Sequence, residues 1–320
     1  MEGLNHNRTR VYYTEFVLFG FPGIIRNRQF LLFPFLFIYI TILAGNILII
    51  HQIFIEPKLH SPMYFLISLL FAANISCTTS VLPKFLLGLS FNMNQIPLVG
   101  CLIQMFFIYF WGAFESGVIL MMALDRFVAI CKPLRYNNIM TKHFLIQLVL
   151  LGIAQGMFLI IPVVVLTSRV RFCRSKIILN FVCENMGLLS LACDDISKLH
   201  VVGLMTKIFG TLLDFGLLLV SYSYILHRTM KIIVGKARHK ALHTCVTHLA
   251  VAMLIYICSL ITSIVYRMHT HISYDVKNLF NAIYLMLPAF ANPFIYGLGV
   301  KEIRQCLLKT WKTKNTSHFS

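Results

Sequence analysis

MALDRFVAICKPLRY, residues Met122 to Tyr136, closes one of the most apolar runs in the chain. It sets an acid beside a base, Asp125 and Arg126, where the hydrophobic residues give out. An unpaired charge next to hydrocarbon is costly, so ionisable residues in such a place pair with one another or mark a functional position. Which of these applies depends on what surrounds the pair.

The chain is 58% hydrophobic and 12% charged, with a mean hydropathy of +0.78. An average soluble domain carries about 25% charged residues. So apolar a chain belongs in a bilayer, which about 20 mostly apolar residues cross once as a helix. Seven such segments run near 30–55, 60–87, 98–125, 143–167, 200–226, 245–266 and 276–298. The expected fold is an all-α membrane protein, a seven-transmembrane helix bundle. Residues 1–29 form a tail on one side, 30–298 the bundle, and 299–320 a tail on the other side with a short amphipathic helix.

Lys and Arg near the segment ends give the orientation. The connections after segments 1, 3, 5 and 7 hold Lys58, then Lys132, Arg135 and Lys142, then Arg228 and Lys231, then Lys301 and Arg304. Those ends are expected in the cytoplasm and the N-terminus outside. Arg169, Arg171, Arg174 and Lys176 crowd one outer loop against this bias. Asn7-Arg8-Thr9 is an N-glycosylation sequon on the outer tail and agrees with it. No charged-then-apolar leader precedes residue 30, so segment 1 is expected to act as its own signal. The formal charge of +17 finds partners in anionic inner-leaflet lipid and a cytoplasmic protein, and no nucleic acid is expected.

Of nine cysteines, Cys77, Cys131, Cys245, Cys258 and Cys306 lie in apolar or inner segments and are expected to be reduced. Cys101 opens segment 3 on the outer side, and Cys173, Cys183 and Cys193 share the loop before segment 5. Four outer cysteines allow three pairings. Two bridges would hold that long loop over the helix mouths as a lid. No P-loop, zinc pair or nucleophile elbow is present, so neither an enzyme nor a cofactor is expected. His243 and His248 are wrongly spaced for two metal ligands and read as polar packing residues. The two halves lack matched, broken helices, which argues against a membrane transporter.

The opening stretch resembles MAYDRYVAICxPLxY, the signature of olfactory receptors, a branch of the rhodopsin-like G-protein-coupled receptors. The resemblance continues in Gly45-Asn46, in Leu59-His60-Ser61-Pro62-Met63-Tyr64, in Ser221-Tyr222, in Lys240-Ala241-Leu242-His243-Thr244-Cys245, and in Leu287-Pro288 with Asn292-Pro293-Phe294-Ile295-Tyr296. Glu115-Ser116, Cys183-Glu184-Asn185-Met186-Gly187 and Leu191-Ala192-Cys193 are similar to the fish-like, class I subgroup. The resemblance implies that Cys101 pairs with Cys183 and Cys173 with Cys193. It implies further that Asp125 restrains Arg126 in a resting state and releases it when segment 6 swings outward. Tyr222, Asn292, Pro293 and Tyr296 then belong to the same activation machinery. The pair is read as a latch on a two-state bundle, biased by an outside ligand. The implied partners are a small-molecule odorant and a stimulatory, olfactory-type heterotrimeric G protein that raises cAMP. The implied location is the plasma membrane, in sensory cilia if the receptor is olfactory. A chemoreceptor for a metabolite, expressed elsewhere, is the alternative within the family.

The family usually has Asp in segment 2 where this chain has Asn74, an Asp that with an acid in segment 3 holds sodium. With Glu115 alone, about 15 Å outward of Asp125 along the helix, a cation site is expected to be weakened.

The resemblance places the ligand between the outer halves of segments 3, 5, 6 and 7. Ile108, Tyr109, Gly112 and Ala113 are expected to face it from segment 3, and Tyr256, Ser259, Ser263 and Arg267 from one stripe of segment 6. Arg267 either forks onto a ligand carboxylate or snorkels to water. Lys207, inside segment 5, either pairs with a neighbouring acid such as Asp214 or faces the cavity and favours an anionic ligand.

Overall fold

The computed structural model describes residues 12–232, 235–267 and 272–317, with backbone alone at residues 25, 232, 236–241, 243–244, 247, 267 and 311–317. Seven long helices form the bundle: α1 (Leu32–Ile55), α2 (Pro62–Phe91), α3 (Leu98–Cys131), α4 (Lys142–Ser168), α5 (Ser197–Ile232), α6 (Lys236–Arg267) and α7 (Tyr274–Gly299). Each contains a stretch long and apolar enough to cross a membrane. Several run past the apolar segment that announces them. Thus α3 continues to Cys131, because Phe127, Val128 and Ile130 still pack against the core beyond the last membrane-length residue.

Local chemistry sets the helix starts. Thr141 caps α4 by accepting the Phe144 N–H at 3.2 Å, and Ser273 caps α7 by accepting the Val276 N–H. Asp275 then lies in the first turn of α7, where the helix dipole favours an acid. At Val300 the backbone is extended and breaks α7 from the tail helix α8 (Lys301–Ser317). Ile303 and Cys306 bury one face of α8, Thr310 donates to Gln52 at 3.2 Å, and Lys309 lies 3.7 Å from Glu56.

Proline 293 shows how the bundle absorbs a helix breaker. Lacking an N–H, Pro293 leaves the Ala289 carbonyl without its intrahelical donor. Asn46 of α1 supplies the missing bond, its amide donating to that carbonyl at 3.0 Å. Asn74 of α2 in turn donates to the Asn46 side-chain oxygen at 3.1 Å. The approach is close enough that a Cβ on Gly45 would sit 3.1 Å from Pro293. An amide at position 74 can donate this bond, which an ionised carboxylate cannot.

Outside the bundle the chain departs from an all-helical expectation. β1 (Glu15–Leu18) pairs antiparallel with β2 (Gln95–Pro97) and parallel with β3 (Ile177–Ile178), in the order β2-β1-β3. Phe16 and Leu18 point inward while Val17 is half-buried, the alternation of a strand. Strands this short carry no periodic signal of their own and form only because the tail and two loops meet. Phe21, Phe35, Phe85 and Phe181 pack their rings 4.9–6.3 Å apart and fasten the tail to the helix mouths.

Candidate ligand cavity and signalling latch

Two disulfides, Cys101–Cys183 and Cys173–Cys193, fix the loop between α4 and α5 over the bundle. The first ties the loop to α3, where the Cys183 N–H also donates to Gln104 at 2.9 Å. Contacts to α7 and α6 complete the tether. Phe181 N–H donates to Asn278 at 2.9 Å, and Asn180 donates to the Tyr266 hydroxyl. The loop is thus held at three helices by groups that are buried or, at Tyr266, half-buried.

Beneath this lid lies a cavity of about 530 Å³. Ile108, Tyr109, Gly112 and Ala113 line it from α3, Lys207 from α5, and Tyr256, Ser259 and Ser263 from α6. Arg267 ends α6, and its side chain lies outside the described residues, as does all of Asn7. The sequence reading placed the cavity among segments 3, 5, 6 and 7. The structure adds α4 as a wall, through Gly152, Gln155, Gly156 and Leu159. Nothing chemically distinctive marks that wall in the sequence, and only the spacing of Gly152 and Gly156 on one helical face hints at it. Glu184 and Asn185 of the lid, with Ser116 and Asp214, are further lining residues that sequence reasoning did not select.

The polar groups at the two ends of the cavity differ. At the outer end the Asn185 N–H donates to the Tyr109 hydroxyl at 3.1 Å, and Glu184 accepts the Gly187 N–H at 3.2 Å. Burial raises the Glu184 carboxyl above its ordinary range, while the Gly187 N–H and the Lys207 charge act in the opposite sense. Glu184, in the lid, is therefore an acid within the field of Lys207. At the inner end Ser116 donates to Asp214 at 2.7 Å and lies 2.7 Å from the Tyr256 hydroxyl.

Deeper still, Asn74 and Glu115 line a separate cavity of about 30 Å³, in which Glu115 is the only lining carboxylate among the described residues. The Asn292 amide faces Glu115, but among the described residues neither of its polar atoms finds a hydrogen bond of ordinary geometry, and one Glu115 oxygen is likewise without a partner. Among the described residues no three His, Cys, Asp or Glu side chains are grouped to hold a metal.

At the opposite end of α3, Asp125 is fully buried and Arg126 reaches back to it. The guanidinium contacts Asp125 Oδ2 at 2.8 and 3.1 Å, and the Tyr136 hydroxyl donates to Oδ1 at 2.7 Å. Tyr222 of α5 is buried near Arg126, with a hydroxyl that makes no hydrogen bond among the described residues. Tyr296 of α7 is fully buried and lies 3.2 Å from His248 Nδ1. His248 is thus a buried histidine with a polar contact to Tyr296, while the side chain of His243 lies outside the described residues.

A family model described as olfactory receptor matches residues 35–314. The chain is 33% identical to human olfactory receptor 52K1 over 312 residues, 98% of this chain and 99% of that one. It is 35% identical to human olfactory receptor 52B2 over 315 residues, 96% and 98% of the two chains. It is also 35% identical to mouse olfactory receptor 56B34 over 300 residues, 93% and 92% of the two. A lidded cavity at one end, a buried ion pair at the other and this likeness along almost the whole length agree. The chain belongs to the olfactory receptor family, multi-pass G-protein-coupled receptors that sense odorants and are not enzymes.

Proposed function

We propose that this receptor binds a small carboxylic acid in the lidded cavity and activates a stimulatory, olfactory-type G protein, raising cAMP from the plasma membrane of a sensory cilium. The observation that carries the ligand class is Lys207, a cation that lines the outer part of the cavity, away from the Asp214 carboxylate at its inner end. Glu184 shares its field, yet an ammonium has three donors and can serve a ligand oxygen as well. Arg267, at the outer end of α6, adds a second cation. In the resting receptor Asp125 holds Arg126. Ligand binding favours the state in which α6 moves away and Arg126 meets the G protein, with Tyr222, Asn292, Pro293 and Tyr296 rearranging beside it. A sodium ion at Asn74 and Glu115 would be held weakly, since one carboxylate faces it.

The test is a screen of short and medium-chain acids, their methyl esters and matched amines on the full-length receptor in a cAMP reporter cell. The proposal requires acids to act at lower concentration than esters. Responses to esters and amines alone would reject the carboxylate, and a ligand response through calcium without cAMP would reject the G protein.

A further inference from the structure

At the inner end of the cavity, the hydroxyl groups beside Asp214 have spent their protons on one another and on its carboxylate. Ser116 has one hydroxyl proton, and it goes to Asp214 Oδ2 at 2.7 Å. The 2.7 Å contact between Ser116 and Tyr256 then has one donor left, the Tyr256 phenol. The protons therefore point one way across three helices, from Tyr256 of α6 through Ser116 of α3 to Asp214 of α5. The run ends on a carboxylate that is largely buried, lines the cavity and forms no salt bridge among the described residues. Gln155 is its other polar neighbour. Lys207 lies seven residues away on the same helix, about 10 Å further out.

We infer that Asp214, Ser116 and Tyr256 form a ligand subsite that reads a hydrogen-bond donor, a hydroxyl or ammonium group at the buried end of the ligand. A methyl terminus there would leave carboxylate lone pairs facing hydrocarbon, which costs desolvation without return. A donor would gain a charge-assisted bond, roughly twice as strong as a neutral one. A ligand carboxylate turned inward would meet Asp214 and be repelled. The cavity thus sets a direction along its length: anion outward toward Lys207, donor inward toward Asp214. The ligand class becomes a medium-chain acid with a hydroxyl or amine at its far end. The outward anion rests on the carboxylate proposal above, whereas the inner subsite stands without it.

The test compares octanoate with its terminal hydroxy, amino and methoxy derivatives, and octanol with octyl methyl ether, on the full-length receptor in a cAMP reporter cell. The methoxy oxygen only accepts, so it controls for size and polarity. Hydroxy and amino acids should act at about tenfold lower concentration than octanoate, and the methoxy acid at a higher one. Asp214→Asn, whose amide can donate as well as accept, should close the gap between hydroxy and methoxy forms, a ratio that poor expression does not mimic. If octanol beats its methyl ether while no acid activates, the subsite stands and the carboxylate proposal fails. Equal potency of hydroxy and methoxy partners on the wild type, or silence of a surface-expressed receptor toward every probe, overturns the subsite.

Discussion

Asp125 and Tyr136 stand eleven residues apart in the chain and 2.7 Å apart in space, the phenol donating to the carboxylate. The other oxygen of the same carboxylate holds Arg126. Tyr136 opens a one-turn helix, Tyr136–Ile139, after the Pro133–Arg135 turn, so the loop that leaves α3 folds back onto its last turns. Burial, and then the neighbouring carboxylate, push the phenol pKa well up, so Tyr136 keeps its proton and remains a donor. The contact proposed as the latch has three members, and one of them is in a loop.

Breaking the latch should raise resting activity in graded steps. A hydrogen bond to a charged group contributes about 1.5–3 kcal/mol, so Asp125→Asn should increase basal cAMP severalfold or more. Tyr136→Phe, which leaves the ion pair intact, should produce a smaller rise. Arg126→Ala should abolish coupling while surface expression persists. Wild-type basal and stimulated cAMP in all three variants, at matched surface levels, would remove the latch.

The lid should be needed for delivery to the surface. Cys101→Ser or Cys183→Ser removes a bridge that closes a long loop, a loss of about 2–5 kcal/mol, and surface staining should disappear. Cys173→Ser and Cys193→Ser remove a bridge that closes a shorter loop and should cost less. Mass spectrometry of a non-reduced digest should recover peptides joining 101 to 183 and 173 to 193. Recovery of peptides joined in any other combination contradicts the lid geometry.

What the sequence revealed and what it concealed divide along physical lines. Helices of about 20 apolar residues announce themselves by composition, and residues at helical spacing, such as Tyr256, Ser259 and Ser263, fall on one face by geometry alone. Contacts between elements distant in the chain are another matter. The bond from Asn46 to the Ala289 carbonyl spans 243 residues and follows from a proline that α7 carries for its own reasons. The α4 wall of the cavity has small and neutral side chains with no chemical signature. β1 is four residues long and exists through its partners. Asp214 was visible as an acid, but the run from Tyr256 through Ser116 that ends on it was not.

Ligand charge should be readable in pairs of dose-response curves. If Arg267 and Lys207 meet a carboxylate, Arg267→Ala should raise the effective concentration of acids by about tenfold or more, roughly 1.4 kcal/mol, and leave methyl esters nearly unchanged. Lys207→Met should act in the same direction, and less strongly because Glu184 already shares the Lys207 field. Parallel losses for acid and ester in both variants would make the two cations structural.

The cavity can also be filled from its wall. Gly117 of α3 also lines the cavity, and a Cβ there would meet nothing within 4 Å, so the position opens onto empty space. Gly117→Leu should leave surface expression intact and occupy room that a ligand chain needs. Longer ligands should lose about tenfold or more in potency, and shorter ones less. Undiminished potency across the chain-length series would place the ligand elsewhere.

The central claim is that occupancy of the lidded cavity frees Arg126 to drive a stimulatory G protein. The most direct measurement is guanine-nucleotide exchange on that G protein by purified receptor in lipid nanodiscs, with the acid series as ligand. The account predicts acid-dependent exchange by the wild type, raised ligand-free exchange by Asp125→Asn, and none above background by Arg126→Ala. Exchange that ignores ligand in the wild type, or that survives undiminished in Arg126→Ala, would contradict it.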